Sequence, residues 1–203
     1  MRIVNLVFDS LLFECTILIM PEMSLPELLV SRRTIHQFRT DHPPEELIEQ
    51  ALELARWVPN HKKTEPWRFY WLGAEARQAV VDLNCEMLVE TKGAKRAEEK
   101  RKSWEEKPGW IVVTAPYNED PVRQQEDYAS CCCAIHNFAL FLWSHEIGVK
   151  WTSGPVTRDP QLLKIIGAEL EREYCVGLLW YGYPEMIPQQ NRQPLSDVLI
   201  RVP

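Results

Sequence analysis

The chain has 203 residues, of which 45% are hydrophobic and 26% charged, and its formal net charge is -6. This length and composition are typical of one well-packed globular domain and exclude an intrinsically disordered chain. The negative charge argues against a general nucleic-acid binder, because such proteins carry an excess of Lys and Arg.

The first 22 residues differ in character from the rest. They contain an apolar run that ends at Met20, but two carboxylates interrupt it, so it is too short and too acidic for a transmembrane helix. No small-residue cleavage site follows, as a signal peptide would require. We therefore expect translation to start at Met20 or Met23. Residues 1–22 would then be an artefact of start-site choice, and residues 23–203 would form a single domain.

Local signals predict two helices in the next part of the chain. Ser24 and Glu27 have the spacing of a capping box, which predicts a helix over the apolar residues that follow. A second helix should begin near Pro43-Pro44 and end at Val58, because Pro59 disfavours helical geometry at the residue before it. Apolar residues repeat at helical spacing along this second segment. They are Leu47, Ile48, Ala51, Leu54, Ala55 and Val58.

Later patterns alternate between strands and helices. Strands are expected at 67–72, 110–115 and 174–182, and helices at 74–89, at 127–144 and from Asp159-Pro160 to Gly167. The helix at 127–144 is apolar or small nearly throughout, which predicts burial on all sides. Glu126 and Asp127 would stand at its N-terminus, and Gly148 would end it. Helices interleaved with three or four strands indicate an α+β domain.

A short loop between Trp57 and Trp67 is the most informative stretch. Pro59 and Pro66 restrain its ends, and between them lie an amide, an imidazole, two ammonium groups and a hydroxyl. A loop restrained at both ends can present such donors to a ligand at little ordering cost. The alternative is a surface loop whose lysines only keep the chain soluble. A second cationic stretch at 31–39 favours the binding interpretation.

Three separated motifs resemble, in this order, those of the nitroreductase family of FMN enzymes, especially its short, single-domain bacterial branch. They are Arg32-Arg33-Thr34, then Pro59-Asn60-His61-Lys62 with Pro66-Trp67, and then Trp151-Thr152-Ser153-Gly154. The resemblance covers the chain from about Met23 to the C-terminus. It implies the family's α+β sandwich, with a mixed, mostly antiparallel sheet flanked by helices. It also implies an interlocked homodimer whose FMN sites lie at the interface and whose C-terminal tails cross the partner's sheet.

The resemblance assigns each motif to a part of FMN. The first matches residues that contact the phosphate and ribityl chain, where guanidinium groups suit a dianion. The loop would supply a wall and hydrogen bonds for the flavin ring, and the third motif a second wall. His61 matches a residue that reaches the flavin from the partner subunit, although it equally fits a partly exposed loop histidine. The implied cofactor residues are Arg32, Arg33, Thr34, Trp57, Asn60, His61, Trp151, Thr152 and Ser153.

Two positions depart from the family's pattern. Relatives tend to carry a cation at the position of Trp57 and another at that of Thr152, so two cationic contacts with FMN are in doubt here. Arg192 and Arg39 are candidates to compensate for them. The densely charged segment 91–107 has the pattern of a solvated helical face. The alternative, implied by the family, is a mobile cover over the active site.

Three adjacent cysteines, Cys131 to Cys133, fit neither a zinc motif nor a disulfide framework, so we expect them to pack in the reducing cytoplasm. Cys132 and His136 have the spacing of a nucleophilic pair, and Cys133 with His136 could ligate a metal. Packing is the favoured interpretation, because the helix is apolar and no other ligand lies nearby in sequence. No Rossmann fingerprint, P-loop or Ser-His-Asp order is present.

The resemblance implies a cytoplasmic NAD(P)H-dependent FMN oxidoreductase that acts on small molecules, without nucleic-acid or membrane partners. A reduced nicotinamide would give up its hydride and leave before a nitroaromatic, a quinone or a related acceptor binds, which is a ping-pong route. No catalytic side chain and no metal is required. Two alternatives remain open. One is an FMN enzyme of this fold with different reductive chemistry, such as dehalogenation or enone reduction, and the other is a non-catalytic FMN-binding protein.

Overall fold

The structure is a computed structural model that describes residues 23–203, so the predictions for residues 1–22 lie outside the described residues. The helices are α1 (Leu25–Ser31), α2 (Glu45–Ala55), α3 (Ala74–Lys92), α4 (Ala94–Glu105), α5 (Pro121–Ser144) and α6 (Pro160–Ile165). The strands are β1 (Arg68–Trp71), β2 (Gly109–Pro116), β3 (Gly148–Thr152) and β4 (Glu173–Gly182). Short 3-10 turns occupy His61–Lys63, Pro155–Arg158 and Leu195–Asp197.

The four strands form one sheet in the order β1-β2-β4-β3, and each neighbouring pair is antiparallel. A bulge between Val113 and Thr114 shifts the register of β2 against β4. An isolated parallel bridge joins Thr34 to Val149 and so places the segment after α1 along the outer edge of β3. The predicted α+β sandwich with a mostly antiparallel sheet is confirmed.

Helices cover both faces of this sheet. Alternate residues of β2 point to opposite faces, as the two-residue period of a strand requires. Ile111 and Val113 pack against α2 and α5, whereas Trp110 and Val112 pack against α3, α4 and α6. On this second face three indoles make edge contacts, with ring centroids 4.9 to 5.7 Å apart. They belong to Trp104, Trp110 and Trp180.

Helix α5 begins earlier than the sequence analysis predicts, at Pro121. Asp120 is its N-cap, and its Oδ1 accepts a hydrogen bond from the backbone N–H of Val122 at 2.9 Å. Glu126 and Asp127 therefore lie in its second turn, and their predicted place at the N-terminus is wrong. The same cap-then-proline pair opens α6 at Asp159-Pro160, as predicted.

The prediction that α5 is buried on all sides is wrong within the single chain. Its inner face is buried in the core, but Tyr128 is 43% exposed, and Ala129, Cys133 and His136 are exposed as well. These residues lie on one side of the helix, because Cys133 follows Ala129 by about one turn and His136 follows Tyr128 by about two turns. We call them the α5 stripe.

The end of α5 also differs from the prediction. The helix stops at Ser144, Glu146 adopts a left-handed conformation with φ of 61°, and Gly148 begins β3 instead of ending the helix. Strand β3 was not predicted. A Cβ at Gly148 would lie 2.3 Å from Ile35 Cγ1, so glycine allows the segment after α1 to approach the sheet edge.

The remaining local predictions are confirmed, with shifts at their boundaries. The backbone N–H of Ser24 donates to Glu27 Oε2 at 2.8 Å, which completes the capping box of α1. Helix α2 stops at Ala55, before Val58. The charged segment forms α4, which buries Trp104 and leaves most of its charges exposed. Within residues 23–203 we find no helix with both the length and the apolar character needed to span a bilayer.

Candidate functional site

The loop between α2 and β1 is attached to α5 by a partly buried polar network. Asn60 Nδ2 donates to Thr64 Oγ1 at 3.0 Å and to Ser130 Oγ at 3.2 Å. Thr64 Oγ1 donates to Asp127 Oδ1 at 2.5 Å, and Ser130 Oγ donates to the carbonyl of Pro59 at 3.1 Å. Asp127 and Ser130 are buried, whereas Thr64 is exposed, so these hydrogen bonds are partly shielded from water on the side of α5. The network fixes the loop before any ligand arrives.

The loop backbone is strained. Lys62, Lys63 and Glu65 have φ values of 61°, 53° and 45°, in the left-handed region that costs a non-glycine residue about 1–2 kcal/mol. Such conformations persist where the surroundings over-determine them, which happens most often at binding sites. Here the backbone N–H of Glu65 donates to Asn60 Oδ1 at 2.8 Å, and Arg123 Nη1 donates to the carbonyl of His61 at 3.1 Å.

These contacts assign different roles to the predicted loop residues. All the polar atoms of the Asn60 side chain are engaged within the loop and with α5, so Asn60 organises the loop. The His61 side chain and both lysine side chains beyond it are exposed. The indole of Trp57 is 64% exposed, and Asn137 Nδ2 of α5 donates to the carbonyl of Trp57 at 3.4 Å.

The first cationic motif lies where α1 ends against β3. Arg33 Nη1 donates to the carbonyls of Val30 at 2.6 Å and Arg32 at 2.9 Å, and so satisfies backbone acceptors at the end of α1. Burial, and next the charges of Arg192 and Arg33, lower the pKa of Arg32. The structure thus brings Arg192, from the C-terminal tail, close to the predicted phosphate-binding residues.

This group of guanidinium ions has no acidic partner in the described part of the chain. No carboxylate of residues 23–203 lies within 4.0 Å of the side-chain nitrogens of Arg32, Arg33 or Arg192. Arg39, the other candidate to compensate for lost cations, is already paired: it makes two hydrogen bonds with Asp41, at 3.0 and 2.6 Å. A set of crowded, unpaired guanidinium ions is suited to a phosphate dianion.

The third motif lies on β3, on the sheet edge that Thr34 joins. The Trp151 indole packs over Gly177 of β4, where a Cβ would lie 1.9 Å from Nε1, and its N–H donates to the carbonyl of Val176 at 3.3 Å. The absence of a side chain at Gly177 therefore leaves the space that this indole occupies. Thr152 is partly buried, and Ser153 is exposed.

A concavity of about 390 Å³ lies between the loop and the middle of α5. Burial, and next the charge of Arg32, lower the pKa of His136, so this side of the concavity is within electrostatic reach of Arg32. Burial raises the pKa of Cys132, so a thiolate paired with His136 is disfavoured. The described residues contain no group of three or more His, Cys, Asp or Glu that could hold a metal. The concavity is lined by Trp57, Val58, Pro59, Cys132, Cys133, His136 and Asn137.

The chain matches the model of the nitroreductase family over residues 29–183, a range that includes all three motifs. It is 28% identical over 178 residues to YfhC of Bacillus subtilis (strain 168), provisionally named an NAD(P)H nitroreductase; this covers 85% of the chain and 91% of YfhC. It is 25% identical over 194 residues to an iodotyrosine deiodinase of Hydra vulgaris, with coverage of 84% and 70%.

Solved structures give the same fold. A nitroreductase-like family protein from Bacillus cereus has a TM-score of 0.82 at 28% identity, covering 91% of this chain and 98% of that one. A provisionally assigned nitroreductase from Desulfovibrio desulfuricans in complex with FMN has a TM-score of 0.71 at 19% identity, covering 90% and 99%. NfnB of Mycobacterium smegmatis in complex with NADPH has a TM-score of 0.71 at 16% identity, covering 88% and 97%. The last two likenesses show the fold alone.

Replacing Asn60 with alanine should loosen the loop. The change removes three hydrogen bonds and leaves the polar groups of Thr64 and Ser130 short of a partner, so the free energy of unfolding should fall by about 1–3 kcal/mol. Hydrogen exchange should report the loss most directly at the amide of Glu65, which donates to Asn60 Oδ1. Ser130→Ala, which keeps that bond, is the matched control. Unchanged exchange at Glu65 in Asn60→Ala would contradict the organising role of Asn60.

Proposed function

We propose that the chain, which belongs to the nitroreductase family, is an FMN-dependent oxidoreductase that passes electrons from NAD(P)H to a small acceptor. The observation that carries the proposal is the group of unpaired guanidinium ions at the β3 edge, close to the concavity. The guanidinium donors fit the phosphate of FMN. Trp151, which packs over Gly177, remains partly exposed and offers a flat apolar surface. When bound, FMN would supply two-electron transfer chemistry.

The residues of the chain then divide by role. Arg32 and Arg192 would bind the phosphate, with Arg33 holding the end of α1 in place and the Thr34 hydroxyl beside them. Trp151, Thr152 and Ser153 would flank the ring on one side. Trp57 would form the second wall from a loop that Asn60 holds in shape. Binding and orientation are therefore the whole contribution of these side chains, and none acts as a nucleophile.

The donor and the acceptor would use the same opening in turn, as in a ping-pong route. A nitroaromatic or a quinone is the acceptor class that we propose, because the concavity is lined mainly by aromatic, apolar and thiol side chains. Reductive dehalogenation is the second candidate, and the likeness to an iodotyrosine deiodinase favours it.

The unpaired state of the five cysteines in the described range is consistent with a reducing cytoplasm.

We propose a homodimer in which the α5 stripe of one subunit packs against that of its partner. Two further segments also expose apolar side chains in the single chain. Val30 of α1 is 74% exposed, and Ile200 and Val202 in the tail are 85% and 86% exposed. Apolar surface of this extent is characteristic of protein–protein interfaces. The tail would then cover the partner, and His61 would reach the partner's ring.

An anaerobic absorbance spectrum tests the function. The purified protein should show flavin bands, lose them on addition of NADPH or NADH, and recover them when a quinone or a nitroaromatic is added. Bands that neither nucleotide bleaches would support FMN binding without turnover. A colourless protein that fails to take up added FMN would contradict the proposal.

Exchanging the cations for alanine tests the phosphate site. Arg32→Ala combined with Arg33→Ala should abolish FMN retention on gel filtration while the fold remains. Each charge-assisted hydrogen bond that Arg32 no longer makes to the phosphate costs about 1.5–3 kcal/mol, and without Arg33 the end of α1 is no longer held beside the site. Arg192→Ala should weaken binding in the same direction. Arg172→Ala, at an exposed position that pairs with Glu169, is the control and should leave retention unchanged. A double variant that keeps its flavin would refute the assignment.

A charge on the α5 stripe tests the dimer. Cys133→Glu places a carboxylate in the proposed interface, where burying it without a partner is strongly unfavourable. Sedimentation velocity should show dissociation into monomers. The control, Val89→Glu, puts the same charge on an exposed apolar position of α3 and should stay dimeric. Persistence of the dimer in Cys133→Glu would exclude this interface.

A further inference from the structure

Three lysines meet on the face of the sheet that α3 and α4 cover, opposite α5 and the concavity. Lys150 of β3 is the cross-strand partner of Trp180 in β4, and its Nζ lies 5.0 Å from the ring centroid of that indole. Lys107, which follows α4, donates from Nζ to the carbonyl of His36 at 3.1 Å. The set that we call the lysine cluster is Lys100, Lys107 and Lys150.

Lys100 reaches the same place from α4. It lies about one turn before Trp104, on the same side of that helix. The Trp104 indole contacts that of Trp180, with ring centroids 4.9 Å apart, and Lys150 lies over the same Trp180 ring. Burial lowers the pKa of Lys107 and Lys150 most, and the charge of Lys100 lowers both further. Ammonium groups from separate segments of the chain therefore converge at one place.

No negative charge balances the lysine cluster. Lys107 is only 6% exposed, and the other two lysines are partly buried. No carboxylate of residues 23–203 lies within 4.0 Å of any of the three ammonium groups. Glu106 and Glu185 act on Lys107 only from a greater distance. Burying ammonium groups without a partner is unfavourable, so an anion placed among them would be bound favourably.

The groups around the lysine cluster add donors but no charge of opposite sign. Burial, and next the charges of Lys150 and Lys107, lower the pKa of His36, so its imidazole is mostly uncharged at neutral pH. The indole N–H of Trp180 is buried and has no acceptor among the described residues. The positive charge of this region therefore comes from the lysines, and their surroundings do not offset it.

The lysine cluster is separate from the cationic motif at the end of α1. The charge of Arg32 acts on a histidine of α5, whereas the carbonyl of His36 accepts from Lys107 on the opposite face of the sheet. Between these two residues the chain crosses the sheet edge, where Thr34 is bridged to Val149. An anion at the lysine cluster would thus lie across the sheet from the FMN phosphate proposed above.

The charge and extent of the lysine cluster indicate the class of ligand. Lysine ammonium groups are common ligands of phosphate, to which they present a point charge with three donors. A dianion with several acceptor oxygens can therefore be shared among three of them. A long polyanion such as a nucleic acid suits the region poorly, because the net charge of the whole chain is -6.

We propose that the lysine cluster is a binding site for a phosphate dianion, either free or carried by a small phosphate monoester. The anion would accept hydrogen bonds from Lys150 of β3 and Lys100 of α4, and from the donors that Lys107 does not use on His36. It would thereby tie α4 to the sheet, a helix in which only Ala97 and Trp104 are buried. Such a site would exist whether or not the chain uses FMN.

Calorimetric titration of inorganic phosphate tests the site. The full chain is used with excess FMN, which occupies the phosphate site proposed at Arg32, and chloride keeps the ionic strength constant. The wild type should bind phosphate. Lys150→Gln and Lys100→Gln should each weaken binding about tenfold, the effect of one lost charge-assisted hydrogen bond. Lys150→Arg keeps the charge and should bind as the wild type does. Lys102→Gln, at an exposed position of α4, is the matched control.

Hydrogen exchange locates the bound anion, and a second ligand identifies its source. Phosphate should slow amide exchange in α4 of the wild type and of Lys102→Gln, but not of Lys100→Gln. Glycerol phosphate replaces inorganic phosphate in a parallel titration. Tighter binding of this ester supports the site with a monoester as its ligand, and tighter binding of inorganic phosphate supports the site with the free anion.

Three results would overturn the proposal. The first is a wild type that binds neither ligand. The second is equal phosphate affinity in Lys100→Gln, Lys150→Gln and Lys102→Gln, because the anion would then lie elsewhere. The third is the same protection of α4 by chloride alone, which would show screening without a site. Circular dichroism checks the fold of each variant, and Lys100→Gln, on a helix outside the sheet, decides the test if Lys150→Gln disturbs β3.

Discussion

Unpaired positive charge along the outer edge of β3 is the constraint on which the site depends. Arg32, Arg33 and Arg192 carry like charges close together, and no carboxylate of residues 23–203 pairs with them. A fold tolerates such crowding only if other contacts hold the groups in place. Here the bridge from Thr34 to Val149 and the hydrogen bonds of Arg33 to the end of α1 do so. The charge is thus presented to a ligand instead of being relieved by local rearrangement.

Helix α5 connects the two sides of the site. Its buried face belongs to the core beneath the sheet, and its first half carries Asp127 and Ser130, which fix the loop. His136, two turns further on, lies near Arg32. A single rigid element therefore sets the position of the loop relative to the cations. The remaining face of α5 is free in the single chain, so the same helix is available to set the position of a second subunit.

The sequence predicts the fold class and the elements whose signals are local. The capping box at Ser24, the cap-proline pair at Asp159 and the apolar strands follow from short-range chemistry. The sequence does not predict strand β3, because the four residues that follow Gly148 give too short a pattern to recognise. The predicted start of α5 is too late, because the polar residues of its first turn hide the helical periodicity. The exposed α5 stripe consists of Tyr128, Ala129, Cys133 and His136, residue types that also occur in protein cores, so composition alone does not distinguish it from a buried face. Arg32 and Arg192 lie far apart in the chain, so only the tertiary structure brings their charges together.

The strained loop at 62–65 has a kinetic consequence. Because Asn60 and its partners already hold the backbone in the left-handed conformation, the unfavourable energy falls on the folding equilibrium and not on ligand capture. A ligand that enters this site meets a surface that need not reorganise, so the association rate is governed by diffusion and orientation. The left-handed residues therefore lower the free energy of unfolding at all times, while ligand binding avoids the delay of reorganising the loop.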